Sequence, residues 1–255
     1  MQLAAQWLRK GQRREISMLH LIPNRFRRGL ALSAFAVVTL ASSAQAQSVF
    51  LQSGNGPVNG PDSLITFTPG PPYSDFSPLT PAVFAAAASG APAFIFDSAE
   101  TFFLYAPPTA VGPTCQWIGT TASSGTSTST TAMFAIPFYW SANTANNALD
   151  ITFSVDDQLG GLGIPGDPDM GMFIDGNPIA NSASNVDWDD TVETYTLGLG
   201  SLSMGNHYLY FDDNNSGAGP AGLIFNATIN AVPEPTPFAV LGLGALSLLR
   251  LRRRR

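Results

Sequence analysis

Four groups of carboxylates are the residues best placed to do chemistry in this chain. Asp156-Asp157 closes a strand-like run. Asp167 and Asp169 lie in a glycine-rich stretch with Asp175 shortly after, Asp187, Asp189 and Asp190 surround Trp188, and Asp212-Asp213 lead into Asn214-Asn215. Hard oxygen donors clustered in loops suit calcium. The best set is Asp156, Asp157 and Asp213, provided the strand ends that carry them meet. The same residues also serve as turn formers on a solubilising surface, and their spacing fits no EF-hand loop. A carboxylate pair such as Asp156 and Asp213 is also the minimum that glycoside hydrolysis requires.

A second chemistry is stacking on sugar faces. Trp117, Trp140, Trp188, Tyr139 and Tyr208 supply the rings, and neighbouring Asp and Asn side chains can bond hydroxyls. Trp188, flanked by acids, is the aromatic expected at the surface, with Trp117 and Tyr208 as further candidates; Trp140 sits in an apolar run that suits a core. Nucleophilic catalysis has little support. His207 has no Ser or Cys partner visible in sequence, and Cys115 is the single cysteine, so no intrachain disulfide can form. No P-loop, Gly-x-Ser-x-Gly, His-Glu-x-x-His or Cys-x-x-Cys pattern occurs. We therefore expect no catalytic residues and no enzymatic activity.

Charge placement narrows the partners. Of 255 residues, 12 are Lys or Arg and 18 are Asp or Glu, but the two signs are segregated. The first 28 positions hold seven of the basic residues and the last six positions hold the other five. Between Ser48 and Val232 there are 16 acids and no Lys or Arg. Such a body repels nucleic acid and anionic lipid, and its carboxylates are expected to lack salt-bridge partners within the domain.

The elements that must position these groups read as strands. Short β-favouring runs alternate with Gly, Pro, Asn and Ser turns at 63–68, 93–96, 101–105, 133–140, 148–155, 172–174, 192–197, 207–211 and 223–229. Two have a clean period of 2. Leu149, Ile151, Phe153 and Val155 share one face, as do Leu223, Phe225, Ala227 and Ile229. One apolar face per strand calls for an all-β sandwich or jelly roll. A short helix is expected at 82–88 and a flexible Thr/Ser/Gly loop at 120–131. The body is read as a single β domain over 47–231, with a less regular start before a Pro-rich stretch at 107–113.

The ends read as processing signals. Arg25, Arg27 and Arg28 precede an apolar run over 30–41, and Ala44-Gln45-Ala46 offers a small-x-small cleavage site before Gln47. Residues 1–46 are thus expected to be a cleavable signal peptide, with Met18 the favoured start. At the other end Val232-Pro233-Glu234-Pro235 is followed by an apolar run over 238–249 and an arginine cluster. The prolines break helix, and the run is expected to form a short membrane helix whose arginines stay cytoplasmic.

This tripartite end resembles the PEP-CTERM sorting signal over 232–255. The resemblance implies an exported protein of a Gram-negative, exopolysaccharide-producing bacterium. Its partners would be the general secretion machinery and exosortase, a membrane protease that recognises Val232, Pro233, Glu234 and Pro235. The protein would be held transiently in the inner membrane, then placed at the cell surface or in the extracellular matrix. The second half of the body also resembles a recurrent jelly-roll domain of PEP-CTERM proteins. The resemblance is carried by Gln116-Trp117-Ile118, Phe138-Tyr139-Trp140, Val155-Asp156-Asp157, Phe173-Ile174-Asp175-Gly176-Asn177, the segment 205–211 and Gly219-Pro220-Ala221-Gly222-Leu223. It departs from that pattern at Asp175, where Asp-Gly replaces the usual Asn-Gly; both tolerate the positive φ of a tight hairpin.

The leading expectation is therefore a non-catalytic matrix or surface protein. The alternatives are a lectin-like module for exopolysaccharide and a glycan hydrolase or lyase.

Overall fold

The computed structural model describes residues 47–72, 79–97, 106–121, 130–156, 158–160, 170–184, 191–214 and 222–232. The expected leader, the expected sorting tail beyond Val232, the run at 101–105, most of the segment 120–131, Asp157, Asp167, Asp169 and the Trp188 segment lie outside them. Among the described residues no helix is long and apolar enough to cross a membrane.

The chain is mostly β. Among the described residues twelve strands run β1 (Ser48–Gln52), β2 (Gly60–Pro72), β3 (Ala91–Ile95), β4 (Ile118–Gly119), β5 (Thr130–Trp140), β6 (Thr144–Asp156), β7 (Gln158–Leu159), β8 (Met172–Ile174), β9 (Asn177–Pro178), β10 (Glu193–Leu202), β11 (Gly205–Asn214) and β12 (Gly222–Ala231). Two helices among the described residues, α1 (Pro81–Ala88) and α2 (Pro108–Val111), interrupt them.

All pairings are antiparallel and form one curved sheet with two arms. The first arm is β10-β6-β12, with β1 on the free side of β12. The second is β3-β2-β5-β11-β8-β9, with β7 also on β11. Two-residue β4 joins them: Ile118 pairs with Leu223 on one side and Ile95 on the other. The sheet bends until the arms face each other, bringing the rings of Phe211 (β11) and Phe225 (β12) to 4.7 Å.

The inner faces are those the period of 2 marks out. Leu149, Ile151, Phe153 and Val155 of β6 and Leu223, Phe225, Ala227 and Ile229 of β12 are all buried in one cluster with Phe134, Ile136, Phe138 and Trp140 of β5. Each fully buried Leu, Ile or Phe contributes about 1.5–3 kcal/mol relative to exposure, so this cluster dominates stability. β1 lies before the first strand expected from sequence; Val49 and Leu51 hint at it by alternation, but five residues are too few for the pattern to register.

The opposite phase of β5 faces outward. Met133 and Ala135 lie under α1, whose Phe84 packs on Phe173 at 5.2 Å and Tyr210 at 5.0 Å. Pro81 supplies a preset φ at the helix start. Gly90 ends the segment because a Cβ there would stand 1.9 Å from the Phe67 carbonyl oxygen. The helix covers only part of this face, and the uncovered part is the region of interest.

Candidate functional site: an uncovered aromatic face and its ion pair

Beyond α1 the outward positions of β5 and β11 are Pro137, Tyr139, Asn206 and Tyr208. Register places Asn206 opposite Tyr139 and Tyr208 opposite Pro137, so the two tyrosines are diagonal neighbours on one face. These residues, with Phe138, line an open depression of about 420 Å³. Tyr139 is 57% exposed. Tyr208 is half-buried and stacks on Tyr210 at 5.8 Å, and Tyr210 is wedged against Phe84. One ring is thus free and the other is held from behind by a row of aromatics.

The backbone of Tyr208 is also held. Its N–H donates to Asp175 Oδ1 at 2.9 Å, while Asp175 Oδ2 accepts from His207 Nδ1 at 2.6 Å. His207 Nε2 faces the carbonyl oxygen of Ser203 at 2.9 Å. A carbonyl cannot donate, so Nε2 carries a proton; a bare Nδ1 would set its lone pair against a carboxylate, so Nδ1 carries one too. Both ring nitrogens of His207 thus face acceptors, an arrangement that the protonated imidazolium satisfies. Burial alone would lower its pKa, but the Asp175 bond, the Ser203 bond and the Asp175 charge outweigh it, and the pKa is raised above 6.5. Its ring stacks on Phe138 at 5.4 Å.

This pair corrects the expectation that the acidic body has no internal salt bridge. His207 supplies the cation that Lys and Arg do not. Sequence reasoning missed the pair because its members stand 32 positions apart. What joins them is the tight turn at Asp175-Gly176, with φ of 52° and 79°, at the end of β8, which pairs with Leu209–Phe211 in the middle of β11. The geometry also speaks against a catalytic triad: Nε2 is spent on a main-chain carbonyl, so it serves no nucleophile.

The other sequence candidates fall elsewhere. Trp117 is 0% exposed, and its indole N–H donates to the Ala106 carbonyl. It is a core anchor and is withdrawn as a sugar-stacking residue. Trp140 is likewise buried, bonded to Thr144 Oγ1. Trp188 lies outside the described residues. Cys115 is buried and its pKa is pushed up to about 11 by desolvation, which removes it as a nucleophile.

Of the strand ends carrying the acidic candidates, that of β6 lies against β12, where Asp156 pairs with Gly222, and that of β11 lies against β7. β7 follows β6 and pairs Gln158 with Asn214 and Leu159 with Asp213. Asp156 and Asp213 are both buried, and Asp157 lies outside the described residues. Among the described residues no three His, Cys, Asp or Glu side chains converge as a metal cluster. At the ends of the body, the Ala231 N–H bonds the carbonyl of Gln47, and exposed Val232 donates to the Asn146 carbonyl.

One carboxylate is wholly structural. Asp62, buried, accepts four main-chain N–H bonds, from Gly54 and Asn55 on Oδ2 and from Leu64 and Ile65 on Oδ1, all within 3.0 Å.

No protein family matches this chain, and a comparison with curated proteins finds no match. Among solved structures it is similar to the GH26-CBM35 β-(1,4)-mannanase of Podospora anserina, at 15% identity and a TM-score of 0.29, covering 48% of this chain and 23% of that one. It is also similar to the PA14 domain of the antifreeze protein MpAFP, at 15% identity and a TM-score of 0.27, covering 73% of this chain and 90% of that one. Scores at this level establish no shared fold, and no activity is carried over on them. The expectations of a non-catalytic matrix or surface protein and of no enzymatic activity are withdrawn.

Proposed function

We propose that this chain is an exported carbohydrate-binding protein whose ligand lies on the Tyr139–Tyr208 face. The observation that carries this reading is the pair of tyrosines left uncovered by α1, diagonal on one sheet face, with Asn206 beside them. Flat aromatic faces take the C–H faces of sugar rings, while the tyrosine hydroxyls and the Asn206 amide reach ligand hydroxyls. A jelly-roll arrangement of the two arms belongs to the same reading.

The processing signals complete it. The leader with Ala44, Ala46 and Gln47 directs secretion. The tail with Val232, Pro233, Glu234 and Pro235 engages exosortase and delivers the domain to the surface or matrix of a Gram-negative, exopolysaccharide-producing cell. There the ligand at hand is the exopolysaccharide. Calcium at the buried Asp156–Asp213 end, with Asp157, is part of this proposal.

The test is calorimetric titration of the purified full-length protein against a panel of neutral and acidic polysaccharides. At least one should bind saturably, and Tyr139→Ala should weaken it at least tenfold, about 1.4 kcal/mol, without shifting the melting temperature. Flat titrations across the panel, or a Tyr139→Ala protein that binds as tightly as the parent, reject the reading.

A further inference from the structure

A second depression, of about 430 Å³, opens on the other phase of β11. Its walls include Asp175, Asn177, Gly198, Ser201, Ser203 and His207, and its floor includes buried Ile179 and Leu202. It is bounded by the β8–β9 turn on one side and by the end of β10 on the other. The Asp175–His207 pair separates it from the tyrosine face.

Three features describe what it accepts. First, the cation in its wall is already spent: both ring nitrogens of His207 are engaged, by Asp175 and by the Ser203 carbonyl. An anionic ligand would meet the Asp175 carboxylate with no free positive group to offset it. Second, Asp175 keeps acceptor capacity. A carboxylate has about four lone-pair directions, and the bonds to His207 and Tyr208 use one on each oxygen. Its side chain remains 40% exposed. Serine hydroxyls and the Asn177 amide add donors, over an apolar floor.

Third, Gly198 lies in the wall of the cleft, beside a register shift in the β10–β6 pairing. Its φ is ordinary, and a Cβ built on it meets nothing within 4 Å. Gly200, by contrast, has a φ of 69°, which favours glycine. Glycine in a strand costs about 0.5–1 kcal/mol relative to a residue with a side chain, so at Gly198 the fold bears that cost with no gain in packing. The gain is the open wall.

We infer that this cleft is a second binding site, for a single uncharged, hydroxyl-rich ring such as one neutral sugar unit. Asp175 and the serines bond its hydroxyls, the apolar floor takes its C–H face, and Gly198 leaves it room. This site does not depend on the tyrosine face, and separate variants address the two.

The experiment is saturation-transfer NMR and titration of the full-length protein with glucose, mannose, galactose and N-acetylglucosamine, against glucuronate. At least one neutral sugar should bind saturably and more tightly than glucuronate. Gly198→Thr, which places a strand-favouring side chain in the opening, should weaken it at least tenfold with the melting temperature kept or raised. Ser201→Ala should weaken it about threefold or more, and decides the matter if Gly198→Thr does not fold. Tyr139→Ala should leave it within twofold. The inference is overturned if no neutral sugar binds, if glucuronate binds more tightly, or if folded Gly198→Thr and Ser201→Ala bind like the parent. A loss in Tyr139→Ala alone would place the sugar on the tyrosine face and equally end it.

Discussion

Single residues in this protein matter most where a charge is held in place by specific partners. Asp62 receives four main-chain N–H groups across two oxygens. In Asp62→Asn the shape is kept, but an NH2 group turns toward two of those donors. A buried group left without its partner costs about 1–3 kcal/mol, so urea unfolding should show a loss of that size with an unchanged m-value. His207 predicts a pH dependence. Its folded pKa is raised, so the stability it adds is fully present below its ordinary value of 6.5 and is lost as pH rises through the folded value. The groups facing it are Asp175, the Ser203 carbonyl and the Phe138 ring. Cys115 at about 11 and Tyr210 at about 12 titrate above this window. Denaturant unfolding between pH 6 and 9 should therefore show stability falling with pH, and Asp175→Asn should flatten that slope.

At the scale of elements, β12 is the strand on which the sheet depends. It pairs with β6 along its whole length, with β1 over five residues on its other edge, and with β4 at Leu223. Its Phe225 meets Phe211 of the opposite arm. Truncating a buried Phe to Ala costs about 3–5 kcal/mol through lost transfer energy and the cavity left behind. Phe225→Ala should lower stability by that amount in chemical denaturation, and amides of β12 and β6 should be the slowest to exchange. α1 has the opposite character. It is short, lies on the outside of the sheet, and is fastened mainly through Phe84 and Ala87. Its extent decides where the outward face of β5 and β11 stops being core and becomes a surface of exposed tyrosine.

For the whole molecule, the governing quantity is the segregation of charge. Sixteen acids lie between Ser48 and Val232 in a stretch that contains no Lys or Arg, and the Asp175–His207 pair offsets one of them. Self-repulsion of this kind weakens as salt is added. Raising NaCl from about 20 to 300 mM should raise the melting temperature by about 2–4 °C, corresponding to roughly 1 kcal/mol for a chain of this size. Calcium should add a saturable rise beyond magnesium at equal ionic strength, abolished by Asp213→Asn. Equal effects of the two ions would reduce it to screening.

The sequence by itself determined which faces are inside. Strict alternation in β6 and β12 leaves one apolar side per strand, and burying that side admits one orientation of each. The Asp-Gly pair likewise announced the β8–β9 turn, because only residues tolerant of positive φ fit it. Strand ends were less legible: β2 and β6 run to 13 residues each, beyond their apolar cores, since hydrogen bonding continues where hydrophobic patterning stops. Tertiary structure alone decided the rest. Trp117 and Tyr139 are both aromatic residues in β-rich surroundings, yet Trp117 is core, packed among Phe96, Ala106, Val111, Cys115 and Ile224, while Tyr139 lies on the outer face beyond α1 and is exposed. Asp175 and His207 met only once β8 lay against β11. Pattern along a chain reports which side of a strand is apolar; partners across strands and coverage by distant elements are set by how the sheet closes.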